Sequence, residues 1–200
     1  MIIQKFDTQE EWLEARKGKI TGSRLNDIVV KRGTGKKIGF YELIAEKLAL
    51  PATGENPMDR GHRLEEEAIE IFEKETKKEV DKSLVLWQRE DNENIAISPD
   101  GFIGESEAVE VKCLSSARHI EALITNELPG EYEFQALQYF IVNPKLEILY
   151  FCFYDPRLSI KQFFYLTLKR ENLIEDIETY LEYQRKTLEE VNEIILKLSF

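Results

Sequence analysis

Asp100 and Glu110-Val111-Lys112 are the residues of this chain whose types and spacing promise chemistry. A carboxylate leaves the turn Ser98-Pro99-Asp100-Gly101, nine residues pass, and a second carboxylate and an amine follow two residues apart. Alternate residues of a strand share a face, so Glu110 and Lys112 point one way and Val111 points into the core. A hairpin would bring Asp100, at the end of the preceding strand, beside Glu110. Two carboxylates and the Val111 carbonyl make a hard oxygen donor set of the kind that takes Mg²⁺, with Mn²⁺ as a substitute. Lys112 would orient and help deprotonate an attacking water, or neutralise charge on a pentavalent transition state. Cutting a phosphodiester needs those parts. Glu-x-Lys on a half-exposed strand and Ser-Pro-Asp-Gly at a turn are each commonplace. Together, flanking a predicted hairpin, they point to a metal-dependent nuclease.

The elements that must position these residues can be read from periodicity. Asp7-Thr8 with Glu10-Glu11 opens a helix through Arg16, and Thr21 or Ser23 caps a second through Val29. Residues 32–39 form a glycine-rich basic loop, and residues 40–50 a helix. Residues 58–77 form a longer helix with Leu64, Ala68, Ile71 and Phe72 on its buried face. Strands are expected over 83–87, 94–97 and 108–113, helices over 115–126 and 131–142, and strands over 146–154 and 162–168. A long amphipathic helix closes the chain from Glu171 to Leu198. Its stripe of Leu173, Ile177, Leu181, Leu188, Val191, Ile195 and Leu198 is interrupted by Gln184. That stripe either packs on the protein's own core or meets another subunit. The order implies an α/β (α+β) fold: a central mixed β-sheet flanked by helices, with a long C-terminal helix. One nuclease domain over 1–200 would comprise an N-terminal helical, DNA-end-binding part (1–57), the core (58–170) and the C-terminal helix (171–200).

Composition narrows the class. With 42% hydrophobic residues the chain can build a core, and no apolar run is long enough to span a bilayer. Met1 to Phe6 lacks the pattern of a signal peptide. The two cysteines, Cys113 and Cys152, are too few for an iron–sulfur cluster or a Cys-rich zinc site, and suit a reducing, cytoplasmic setting. The net charge of -11 disfavours a polyanion partner, but its distribution does not. Residues 16–37 hold eight basic side chains against Asp27, a local +7, which leaves -18 for the rest. A local basic patch is what phosphate contacts require.

The pattern Pro99-Asp100 … Glu110-Val111-Lys112 resembles that of the PD-(D/E)xK nucleases, whose core is that of restriction endonucleases. Within them the chain is similar to the phage lambda exonuclease / YqaJ-type viral recombinase group. Trp12 … Arg16 … Gly18-Lys19-Ile20-Thr21-Gly22-Ser23, Gly61-His62-Arg63-Leu64-Glu65, Gln138-Tyr139 and Tyr154-Asp155-Pro156-Arg157 extend the likeness in order along the chain. The resemblance implies that Asp100, Glu110 and the Val111 carbonyl ligate the metal, with Glu65 reaching it directly or through water, and that Lys112 is the catalytic lysine. It implies that Gln138 touches the scissile region, with Gln135 as a substitute candidate. Arg16, Ser23 and Ser98 would form a 5′-phosphate pocket, Arg32 would reach the DNA groove, and Arg118 would meet a backbone phosphate or a surface ion-pair partner. The implied activity is a 5′→3′ exonuclease on linear double-stranded DNA that releases 5′-mononucleotides and leaves 3′ tails. The implied partners are DNA ends, a single-strand annealing protein of phage-type recombination, and further copies of the chain in a trimer. An endonuclease on the same core, or a non-catalytic DNA-end binder, are the rival readings.

Overall fold

The computed structural model describes residues 8, 37–48 and 57–198. The expected N-terminal helices and most of the basic loop, with Arg16, Ser23 and Arg32, lie outside the described residues; the end of that loop, Ile38 and Gly39, is already helical. In chain order the described elements are α1 (Ile38–Leu48), α2 (Pro57–Thr76), β1 (Trp87–Arg89), β2 (Asn92–Ile97), β3 (Gly101–Ile103), β4 (Glu107–Lys112), α3 (Ser116–Thr125), α4 (Glu133–Val142), β5 (Ile148–Tyr154), β6 (Phe163–Lys169) and α5 (Ile174–Leu198). Short 3₁₀ turns, Gly130–Tyr132 and Arg170–Asn172, lead into α4 and towards α5.

Strands β3-β4-β5-β6 form one mixed sheet, in which β4 and β5 run parallel and the outer pairs are antiparallel. Both faces of the sheet are covered, which is where parallel pairs are found. Side chains alternate between them. Val109, Val111, Tyr150, Cys152, Tyr154 and Phe163 pack against Leu64, Ala68, Ile69 and Phe72 of α2. Ala108, Leu149, Phe151, Phe153 and Leu166 pack against α4. The buried face of α2 is therefore the expected one, with Ile69 taking the place of Ile71, which is half-buried.

The hairpin expected to carry Asp100 exists, but it is built differently. Strand β2 is not its first arm: among the described residues it pairs with β1 alone, in a separate two-stranded sheet. The arm is the short β3, which begins at Gly101 and pairs Gly101↔Val109 and Ile103↔Glu107. Three residues are too few to show an alternating pattern, so β3 escapes a reading by periodicity. Gly104, at φ 58, makes the turn that returns the chain into β4. The expected strand over 83–87 is also displaced: β1 starts at Trp87, and Leu84 stands 103% exposed.

The C-terminal helix packs on the protein's own core. Ile177 is buried, and Leu173, Tyr180, Leu181 and Leu188 pack against the α4-side core. Gln184, the break in the stripe, meets Gln138 of α4 in a reciprocal amide pair, with bonds of 2.8 and 3.1 Å. A polar pair at one point of an apolar interface favours one register, because a slip strands a half-buried amide.

Candidate active site

Strand β4 places Glu110 on the face turned to α4, where a carboxylate would be stranded without partners. The carboxylate is 1% exposed and fully partnered. Its Oε1 accepts from Lys112 Nζ at 2.5 Å and from Gln135 Nε2 at 2.6 Å. Its Oε2 accepts from the Tyr139 hydroxyl. Charge-assisted bonds of this kind are about twice as strong as neutral ones. Gln135 and Tyr139 are four apart on α4, so both reach one point.

Helix α4 is itself anchored at its C-terminal end, where carbonyls lack intrahelical partners. Arg170 donates to the Phe140 and Asn143 carbonyls at 2.6 Å and to the Leu146 carbonyl at 2.6 Å. Arg89 donates to the Ile141 carbonyl at 2.5 Å and pairs with Asp91, which also binds Arg185 of α5. Positive charge is favoured at that end of the helix dipole. These contacts hold the helix that holds Glu110.

Asp100 lies just before β3 and reaches back to β4, its Oδ2 accepting from the Val111 N–H at 2.8 Å. The N–H and C=O of one strand residue leave on the same side. The Val111 carbonyl therefore also faces the Asp100 side, past the last β3–β4 pair Gly101↔Val109. Burial, then the charges of Glu110 and Glu65, push Asp100 up to about 7, against the opposing pull of the Val111 N–H and of Lys112. Glu65, half-buried on α2, is thus close enough to act on Asp100. Burial alone would lower the Lys112 pKa, but the charge and hydrogen bond of Glu110 outweigh it and hold the ammonium above its ordinary value. Burial first, and Glu110 next, drive the Tyr139 phenol well above its usual range, so it remains a donor.

Among the described residues, no three His, Cys, Asp or Glu side chains gather into a metal cluster. The donor set here is two carboxylates and a backbone carbonyl, all hard oxygens, which fits Mg²⁺ or Mn²⁺. A cation at this point would relieve the charge repulsion that adds to burial in raising Asp100.

Placement of the other expected residues is mixed. Gln138 does not reach the carboxylates: its amide bonds the Ala96 carbonyl at 3.3 Å and Gln184 of α5. It sits ~100° around the helix from Tyr139, and the position that meets Glu110 is Gln135. Ser98 is exposed, its hydroxyl donating to the Val85 carbonyl at 2.7 Å. Arg118 is exposed and paired with Glu121 at 2.7 Å. The segment Tyr154-Asp155-Pro156-Arg157 is structural: buried Asp155 takes two bonds from the Arg157 guanidinium, at 2.7 and 2.9 Å, and one from Ser116 at 2.5 Å. That ties the end of β5 to the start of α3, just beyond Lys112. Tyr139 was legible only as part of a motif, since a buried tyrosine on an apolar helix face reads as core. Its spacing of four from Gln135 was the available signal.

The mixed sheet thus sets a buried carboxylate and a lysine on β4, with a second carboxylate just before β3. Residues 11–144 match the YqaJ-like viral recombinase domain, and the chain belongs to that family. Among solved structures it is similar to an alkaline exonuclease, LHK-Exo, from Laribacter hongkongensis, at 29% identity and a TM-score of 0.62, over 96% of this chain and 98% of that one. A crystal structure of LHK-Exo in complex with dAMP matches with the same values. No curated protein matches. The family and the solved relative make the chain a nuclease acting on DNA, with the mixed α/β fold expected. Among the described residues, no helix is long and apolar enough to cross a membrane.

Proposed function

We propose that the chain is a Mg²⁺-dependent exonuclease on linear double-stranded DNA, with Mn²⁺ as the substitute metal. It grips a 5′-phosphorylated end, removes 5′-mononucleotides 5′→3′ and leaves a 3′ single-stranded tail. The observation that carries this reading is the buried Glu110 carboxylate, held by Lys112, Gln135 and Tyr139 beside Asp100. Asp100, Glu110 and the Val111 carbonyl would hold the metal, with Glu65 reaching it directly or through water. When bound, the metal supplies Lewis acidity toward the scissile phosphate and acidifies the attacking water.

The chain's own residues do the rest. Lys112, kept protonated by Glu110, sets positive charge where the phosphoryl oxygens gain negative charge. Gln135 spends one N–H on Glu110 and has a second N–H and a carbonyl to orient water. Tyr139 fixes the other Glu110 oxygen. Attack by water in line with the P–O3′ bond breaks that bond. It leaves a 3′-hydroxyl on the released nucleotide and a new 5′-phosphate on the shortened strand. Arg16, Ser23 and Ser98 would bind that phosphate, Arg32 would reach the groove, and Arg118 would exchange Glu121 for backbone phosphate. The local +7 of residues 16–37 gives DNA an attractive segment in an otherwise acidic chain. The dAMP bound by LHK-Exo supports a mononucleotide product. A single-strand annealing protein takes the tail, copies of the chain assemble around the duplex, and the setting is cytoplasmic.

The test is Mg²⁺-dependent digestion of linear duplex with 5′-phosphate or 5′-hydroxyl ends, beside a closed circle, with wild type and Lys112→Ala. Nucleotides should be released from the phosphorylated linear substrate alone, and only by wild type. Cutting of the circle would remove the exonuclease claim and leave an endonuclease; no cutting with either metal would leave a DNA-end binder.

A further inference from the structure

The 3₁₀ turn before α4 delivers an aromatic ring to the lysine. Lys112 Nζ lies over the Tyr132 ring, 5.4 Å from its centroid, within the range of a cation–π contact. The ring is held in place. It rests on the fully buried Phe151, with centroids 5.7 Å apart and planes tilted by 37°. The Tyr132 amide bonds the Pro129 carbonyl at 2.8 Å, and the residue is the N-cap of α4 at φ -105, ψ -5. Tyr132, Gln135 and Tyr139 are spaced three and then four apart, so they form one stripe along the face turned to β4. Gln135 and Tyr139 take Glu110, and Tyr132 takes Lys112.

We infer that Tyr132 is a positioning residue for the nuclease reaction, its ring face fixing the direction in which Lys112 presents its ammonium. A lysine has a flexible four-carbon stem, and a single anchor at Glu110 leaves it free to swing. A second carboxylate in direct contact with the ammonium would fix it as well but would neutralise the charge the phosphate needs. An aromatic face attracts the ammonium through its quadrupole while adding no net charge. The half-buried Tyr132 meets that requirement beside Lys112. The inference rests on the reading that Lys112 serves phosphodiester cleavage.

Two measurements on the full chain test it. In the first, Tyr132 is replaced by phenylalanine and then by mono-, di- and trifluorophenylalanine, which weaken the ring quadrupole at nearly constant shape. Single-turnover cleavage is then followed at saturating Mg²⁺. Phenylalanine should cut close to the wild-type rate, and fluorination should lower the rate stepwise, roughly 2- to 30-fold in all, with KM and melting temperature unchanged. In the second, ¹³Cε-lysine spectra compare wild type, Lys112→Ala and Tyr132→Leu. Wild type should show an upfield, ring-shifted Lys112 resonance that both variants lack. Absence of that resonance in wild type overturns the contact, whether or not the chain cuts DNA. A flat fluorination series, with cleavage still abolished in Lys112→Ala, overturns the positioning role alone. Wild-type cleavage by Lys112→Ala overturns both this inference and the function assigned to the lysine.

Discussion

Tyr139→Phe removes one oxygen atom and tests how the site is held. The Tyr139 ring is fully buried and meets Trp87 edge-on, with centroids 6.3 Å apart, contacts that phenylalanine keeps. The loss is the hydroxyl, which donates to Glu110 Oε2 and takes a hydrogen bond from the Asp100 backbone. The carboxylate is 1% exposed, so water cannot replace that donor. A hydrogen bond to a buried charged group contributes about 1.5–3 kcal/mol. For a domain of this size that corresponds to a fall in Tm of roughly 3–12 °C. Lys112 and Gln135 still hold Oε1, so the chain should fold, but the carboxylate gains freedom about that anchor. Losing an outer partner of a metal-binding group costs roughly 10- to 100-fold in metal affinity or activity. Scanning calorimetry and a Mg²⁺ titration of cleavage at fixed substrate measure both effects. If the variant melted within 1 °C of wild type and reached half-maximal rate at the same Mg²⁺ concentration, the argument that Tyr139 orients Glu110 would be refuted.

Three further outcomes follow from the same geometry. Gln135→Ala should depress cleavage roughly 10-fold or more, as an outer partner of Glu110, whereas Gln138→Leu should leave the rate intact and cost about 1–3 kcal/mol by stranding Gln184. Gln138→Leu/Gln184→Leu should recover most of that stability in denaturant melts, and no coupling between the two would disprove the pair. Gly101→Ala puts a Cβ 2.4 Å from Val80 Cγ1, so overpacking of about 1–3 kcal/mol is expected, with a higher Mg²⁺ requirement because Asp100 is the adjoining residue. Asp155 lies below its ordinary 3.8 because the Arg157 and Ser116 bonds outweigh its burial. Its stabilisation is complete above that value and is lost as pH falls through the still lower folded pKa. Calorimetry against pH should show Asp155→Asn less stable near neutrality but with a shallower acid limb than wild type; parallel curves would contradict this.

Much of the molecule was decided by local pattern. The Asp100 and Glu110-Val111-Lys112 grouping, the alternation that turns Val111 to the α2-side core and Glu110 away from it, and the apolar stripe of α5 all follow from residue order and the periods of strand and helix. Tertiary contacts decided the rest. Which glutamine of α4 meets Glu110 depends on the rotation of that helix, and both Gln135 and Gln138 sit on its polar margin. Packing against α5 claimed Gln138, and the sheet claimed Gln135. The hairpin arm could not be read because β3 is held by β4 and by the bridge Asp81↔Phe102, rather than by any pattern in its own three residues. Tyr132 had no local mark at all, since its role depends on a lysine twenty residues earlier and on Phe151 beneath it. Side-chain type and period are properties of the chain, and they named the chemistry. The convergence of α4 on β4 is a property of packing, and it decided which side chains hold that chemistry in place.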